Sequence, residues 1–298
     1  MLFPRVQNTI AASTCFEGIG YWSGRNVRVE LHPASADTGI LFRRVDLSDR
    51  PIIAATVANR TDIPLRTRLE AGGGRVDMVE HIMAALAGLR IDNCEVHIDC
   101  EETPGLDGSA HTVVEAIDRV GIRPQIERRK TVCISRPIRI EIDQDCWIEA
   151  RPSPLGQTIL RYELDYPAVP AIGRQTYQLT LTPETFRSNL ATARTFLTEA
   201  EARHLQSQGL GEHASFDDLL VYGEDGPIGN ELRYADECVR HKLLDMVGDL
   251  ALAGCDIVGY VVAHRTGHHQ NAQLVRKILA SESESESSEG ETTLRRTS

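Results

Sequence analysis

His241 and Asp245, within Val239-Arg240-His241-Lys242-Leu243-Leu244-Asp245-Met246-Val247-Gly248-Asp249, have the residue types and the spacing of a metal-binding pair. At about 100° per residue, a four-residue step leaves two side chains about 40° apart on a helix, and Asp249 continues the same row. An imidazole nitrogen and a carboxylate oxygen on one rigid backbone can fill two positions around zinc or a similar divalent ion. A single pair of this kind on a helix face is more often a solvated surface or a local hydrogen bond. The best candidate for a third ligand is His81, in Asp77-Met78-Val79-Glu80-His81-Ile82-Met83. Glu80 beside it could take the proton from metal-bound water, or could simply close a capping box with Asp77 at the N-cap.

Helices must position these groups. Val239, Leu243, Met246, Val247 and Leu250 recur at helical spacing and predict a helix over about 236–253; Val79, Ile82, Met83 and Leu86 predict another, stopped at Gly88. Alternating apolar residues predict strands before and after each: Val27, Val29 and Leu31, then Ile40 to Val45, then Cys94, Val96 and Ile98 in the first half. Ser109 is expected to cap a second helix carrying Val113, Val114 and Ile117. The second half repeats the order, with strands near 132–134, 138–142, 146–148, 159–164, 177–181 and 257–263, and helices near 184–190, 198–207 and 269–280. The expectation is therefore an α+β protein of two similar domains, each a mostly antiparallel sheet with packed helices, with the active site between them. The domains are placed at residues 1–124 and 125–280, split in the polar segment Gly121-Ile-Arg-Pro-Gln-Ile-Glu-Arg-Arg-Lys130.

A chain of 298 residues, 41% hydrophobic, is long enough for two cores. The net charge of −11 argues against a nonspecific nucleic-acid surface, which needs a basic footprint. No apolar run approaches the length of a transmembrane helix and the start lacks a secretory pattern, so a cytoplasmic protein is expected. Seven cysteines without paired spacing read as reduced thiols. The Ser-Glu alternation after Ala280 predicts a disordered acidic tail over residues 281–298. The oligomeric state stays open, with a monomer as the default.

Two loops at predicted element ends add polar candidates: Ala193-Arg194-Thr195-Phe196, and His264-Arg-Thr-Gly267-His268-His269. Taken singly, Thr195 reads as a helix cap and His268 as a loop or cap histidine. Together with the two helices, they make the chain resemble the zinc-dependent UDP-3-O-acyl-N-acetylglucosamine deacetylase family of bacterial lipid A biosynthesis. The resemblance spans nearly all of residues 5–280 and rests on Val79-Glu80-His81, Ala87-Gly88-Leu89-Arg90-Ile91-Asp92-Asn93, Leu106-Asp107-Gly108-Ser109-Ala110, Ala193 to Phe196, Val239 through Asp249, and Gly267-His268.

The resemblance implies zinc held by His81, His241 and Asp245, with Glu80 as general base and Thr195 helping to hold the tetrahedral oxyanion. His268, oriented by Asp249, is implied as the acid for the departing amine. Lys242 is implied to face the diphosphate of an acylated UDP-amino-sugar substrate, and Phe196 to pack on it. An acyl passage is implied within Phe196 to Phe216, lined by Leu197, Ala200, Ala202, Leu205 and Leu210, with Glu199, Glu201, Arg203 and His213 turned away. Met78, where the family commonly has threonine, and Leu197-Thr198-Glu199, where it commonly has glycine, depart from the pattern. A related zinc amidase acting on another acylated nucleotide sugar, and a binding protein without activity, are the competing readings.

Overall fold

The computed structural model describes residues 4–211, 215–216 and 218–296, with side chains through residue 284. Its helices are α1 (Glu80–Gly88), α2 (His111–Val120), α3 (Pro183–Asn189), α4 (Glu199–Ser207), α5 (Glu237–Ala251) and α6 (His268–Arg296). The first half carries a five-stranded sheet in the order Thr14–Ile19, Asn26–Pro33, Cys94–Ile98, Ile40–Arg44, Ile52–Ala54. The second carries the order Ile138–Asp143, Cys146–Arg151, Asp256–His264, Thr158–Tyr166, Gly173–Thr180, with Thr131–Cys133 added parallel to the start of the central strand.

The two sheets are built alike. Each has a hairpin on either side of one central strand, antiparallel to the first hairpin and parallel to the second. Each central strand follows a ligand-bearing helix, α1 in one half and α5 in the other, and leads on to α2 or α6. Strand alternation explains the packing: Val27, Val29 and Leu31 are buried while Arg28 is exposed, so one sheet face makes the core.

Helix α1 is buried almost all round, which suits the unbroken apolar run Ile82-Met83-Ala84-Ala85-Leu86. It packs on α5, with a close approach at Gly248, where a Cβ would lie 2.1 Å from the Glu80 carbonyl oxygen. Any side chain there would push the helices apart. The pair thereby brings Glu80 and His81 against His241, Asp245 and Asp249.

Several expectations are corrected. The strand Ile122–Arg128 pairs with Val6–Ile10 and crosses the boundary expected at residue 124, so residues 125–128 go with the first half. Asp77 is no N-cap: it ends the strand Gly74–Asp77, where Arg66 and Arg68 hold its carboxylate, and Val79 precedes α1 without a side-chain cap. Ser109 lies one residue before the capping position of α2, although its hydroxyl accepts the His111 N–H at 3.2 Å. The backbone of α6 continues through Arg296 where a disordered tail from 281 was expected; no glycine or proline interrupts it before Gly290, and glutamate is a good helix former. Near its start, this extension meets Arg136 through Ser281 and Glu284.

Candidate active site

His81, His241 and Asp245 converge: one ligand atom from each lies within 4.8 Å of the other two. Asp245 Oδ1 is 3.2 Å from His241 Nε2 and 3.6 Å from His81 Nε2, and the two imidazole rings meet edge to face at 5.0 Å. The second nitrogen of His241, Nδ1, is 3.0 Å from the Ala193 carbonyl. A proton there leaves the Nε2 lone pair for a ligand. Burial lowers the pKa of His241, which favours the neutral, coordinating form. Burial would raise the Asp245 carboxyl, but positive charge beside it, that of Lys242 at 2.7 Å included, holds it well below the usual range.

The fit to a divalent ion rests on one atom. Asp245 Oδ1 is buried, has no hydrogen-bond partner among the described residues, and lies between two imidazole nitrogens. An orphaned buried carboxylate oxygen is costly unless something positive fills the gap. Two nitrogens and one oxygen with room for further ligands are the donor set of an open zinc site.

The acid and base candidates flank this centre. Glu80 Oε2 accepts the Thr67 backbone N–H at 3.0 Å, which rules out the capping role left open by the sequence. Burial raises its pKa, partly countered by His268 and His81. His268 is the first residue of α6; its Nδ1 lies 2.8 Å from Asp249 Oδ2 and its Nε2 3.8 Å from Glu80 Oε1. Burial would lower the His268 pKa, but Asp249 and Glu80 outweigh it and push it up to about 9. Asp249, fully buried, also accepts from the Thr67 hydroxyl at 2.7 Å and the Asn271 amide at 2.9 Å.

Thr195 is placed by the Ala193–Phe196 loop pairing with the Leu106–Ala110 segment. Its N–H donates to the Gly108 carbonyl at 2.7 Å, and Gly108 adopts φ +76° with a virtual Cβ only 2.6 Å from the Asp218 carbonyl. Glycine is required there on both counts. Arg194 forms a buried ion pair with Glu237 at 2.9 Å, anchoring the loop to the start of α5. Thr195, Phe196 and Lys242 line a cavity of about 640 Å³ together with the three ligand candidates. Phe196 packs edge to face on Tyr166 and Tyr222. Lys242 Nζ is 2.7 Å from Asp245 Oδ2; burial would lower its pKa, but Asp245, Tyr162 and Tyr166 raise it, so it is a cation.

A second, more apolar cavity of about 490 Å³ shares Tyr21, Trp22, Leu197 and Leu205 with the first. Leu197, Ala202, Leu205 and Leu210 line it as expected, but Ala200 is exposed and takes no part. Glu199 and Arg203 border this cavity instead of turning away, neutralised as a pair at 2.5 Å, and Glu201 borders the first cavity while capping α4 through Thr198. His213 lies outside the described residues.

Sequence reasoning missed Thr67, Asn271 and Glu237. Asn271 stands one turn beyond His268 on α6, a spacing that could have signalled a shared partner. Thr67, in Arg66-Thr67-Arg68, carries no local signal; only the folded path brings it between Glu80 and Asp249.

Residues 7–280 match the family model described as UDP-3-O-acyl N-acetylglycosamine deacetylase. Proteins named UDP-3-O-acyl-N-acetylglucosamine deacetylase from Brucella ovis, Brucella canis and Brucella suis are each 41% identical over 278 residues, covering 93% of this chain and 96% of theirs. With a match that spans both sheets, both ligand-bearing helices and every candidate group, the chain belongs to the UDP-3-O-acyl N-acetylglycosamine deacetylase family.

Proposed function

We propose that this chain removes the N-acetyl group of a UDP-3-O-acyl-N-acetylglucosamine, giving acetate and the free amine for lipid A biosynthesis, with zinc held by His81, His241 and Asp245. The observation that carries the reading is the partnerless, buried Asp245 Oδ1 between two imidazole nitrogens at the wall of a large cavity. Zinc in such a site polarises an amide carbonyl and makes water acidic enough to be deprotonated near neutral pH.

The protein groups divide the remaining work. Glu80, made more basic by burial and held by the Thr67 N–H, takes the proton of the attacking water. Thr195 offers a hydroxyl on the cavity wall for the charge that develops on the carbonyl oxygen. His268, kept protonated by Asp249, stabilises that charge and hands its proton to the departing sugar nitrogen. An amine is a poor leaving group without that proton. Phe196 and the neighbouring aromatic rings pack on the substrate, Lys242 meets its diphosphate, and the adjoining apolar cavity takes the acyl chain.

Among the described residues no helix is long and apolar enough to cross a membrane. Cytoplasmic placement and a monomeric state belong to this proposal, and cell fractionation and sedimentation test them. The activity itself is tested by metal analysis coupled to acetate release. His81→Ala, His241→Ala and Asp245→Ala should each lose zinc and turnover while keeping their circular dichroism. Full zinc affinity and turnover in any one of them would remove that residue from the ligand set; turnover only on a different acylated nucleotide sugar would reassign the substrate.

A further inference from the structure

On the first sheet, far from any role in the deacetylase reading, Glu30, His32 and His97 form a second group whose ligand atoms all lie within 4.8 Å of one another. Register places them together. Glu30 is directly opposite His97 and His32 directly opposite Glu95 on the antiparallel neighbours Asn26–Pro33 and Cys94–Ile98. Because side chains alternate, these four project from the outward face while Val29, Leu31, Val96 and Ile98 fill the core beneath. The rings of His32 and His97 are 4.3 Å apart, tilted by 50°.

Each imidazole is oriented through one nitrogen. His32 Nδ1 is 2.9 Å from the Ser13 hydroxyl, and His97 Nε2 is 3.1 Å from Glu95 Oε2. Such outer partners fix ring orientation and tautomer in metal sites. His32 Nε2 is left facing Glu30 Oε2 at 3.2 Å. Arg28 beside Glu30 helps keep that carboxylate ionised, as a ligand must be. The group is between a quarter and two-fifths exposed, at 38% for Glu30, 30% for His32 and 26% for His97, so a hydrated ion can reach it.

We propose that Glu30, His32 and His97 form a second divalent-metal site of the zinc class, linking two neighbouring strands of the first sheet. Two imidazoles and one carboxylate suit zinc over magnesium or calcium, which take oxygen donors. The remaining positions are open to water. Nothing in this site touches the catalytic cavity, and its existence does not depend on the deacetylase reading.

The test is a zinc titration of chelator-stripped protein, with equivalents counted by metal analysis after equilibrium dialysis. The parent should take up two equivalents, His32→Ala/His97→Ala one, with its deacetylase turnover unchanged once the catalytic equivalent is filled. In His241→Ala protein, zinc should still raise the melting temperature through the second site, and adding His97→Ala should abolish that rise. Glu30→Gln, which keeps the side chain's shape, should weaken the second equivalent by at least about tenfold even if the double variant fails to fold. A single equivalent in the parent that the folded double variant retains, two equivalents in a folded double variant, or unchanged affinity in Glu30→Gln would overturn the assignment.

Discussion

Glu80 and His268 stand 3.8 Å apart, and their surroundings move both groups upward for different reasons. Glu80 is raised chiefly by burial, so the limb on which activity rises with pH should lie above the ordinary glutamate value of 4.5. His268 is an acid only while protonated, and Asp249 and Glu80 keep it so up to about 9. Activity should therefore fall as pH rises through that value. Glu80→Ala and His268→Ala should each retain zinc, lose about 10²- to 10⁴-fold in turnover, and flatten the low-pH and high-pH limb respectively. Profiles that keep both limbs in either variant would reject this division of labour. Lys242 poses a separable question, because its ammonium group contacts Asp245 Oδ2 as well as the cavity. We expect Lys242→Ala to keep stoichiometric zinc and to raise KM for the UDP-sugar substrate by at least about tenfold, equivalent to about 1.4 kcal/mol. Loss of zinc, or an equal loss on an N-acetyl sugar lacking UDP, would make it a positioning residue for Asp245.

At the scale of elements, everything converges on the contact between α1 and α5. Helix propensity alone says that replacing Gly248 by alanine stabilises α5 by about 0.8–1 kcal/mol. The close approach decides the sign, since the new Cβ would lie 2.1 Å from the Glu80 carbonyl oxygen, which is backbone and cannot rotate away. Overpacking costs typically about 1–3 kcal/mol, so Gly248→Ala should lower the denaturant midpoint and, by parting the helices, weaken zinc binding. Unchanged stability and zinc affinity would show that the helices slide at little cost. The same contact shows what could be read in the sequence. The apolar spacing of Val239, Leu243 and Met246 marks α5, and the four-residue step from His241 to Asp245 survives folding because both lie on one rigid helix. His81 and His268 were reachable as residue types in order, although the distances between them were not. Thr67 was hidden because one of its contacts uses the backbone N–H, which every non-proline residue has, and the other reaches a partner on α5. The expected cap at Asp77 failed for a related reason: two arginines nearby claimed the carboxylate for the strand. The boundary at residue 124 failed because Pro124 reads as a linker residue, yet it lies in a strand that pairs with the distant segment Val6–Ile10.

For the whole molecule, the repeated plan of the halves leaves two acidic residues at corresponding places: Asp92 between α1 and its central strand, and Asp256 at the start of the central strand after α5. Arg5 bridges them. Its guanidinium contacts Asp92 at 2.6 and 2.7 Å and Asp256 at 2.8 and 2.9 Å, while Arg129 Nε approaches Asp92 at 3.0 Å. The Asp92 side chain is only 2% exposed, whereas that of Asp256 is 31% exposed, so the cost of losing Arg5 should come mainly from Asp92. Breaking a buried pair costs about 3–5 kcal/mol, and a surface pair at most about 1. With Arg129 left as a partial partner, Arg5→Ala should destabilise the chain by about 2–3 kcal/mol on the scale of those values. The ligand-bearing helices pack on each other independently of this bridge, so turnover and zinc content per folded molecule should stay near those of the parent. Arg128→Ala, which removes an exposed hydrogen bond to the Pro4 carbonyl, serves as the control and should change stability by less than about 0.5 kcal/mol. Urea unfolding followed alongside acetate release distinguishes the outcomes. If Arg5→Ala matches the control, the halves are held without this bridge, by contacts such as the packing of α1 on α5 and of Thr67 on Asp249; if it unfolds normally but loses turnover while folded, the bridge sets the geometry of the site between the halves as well as their cohesion.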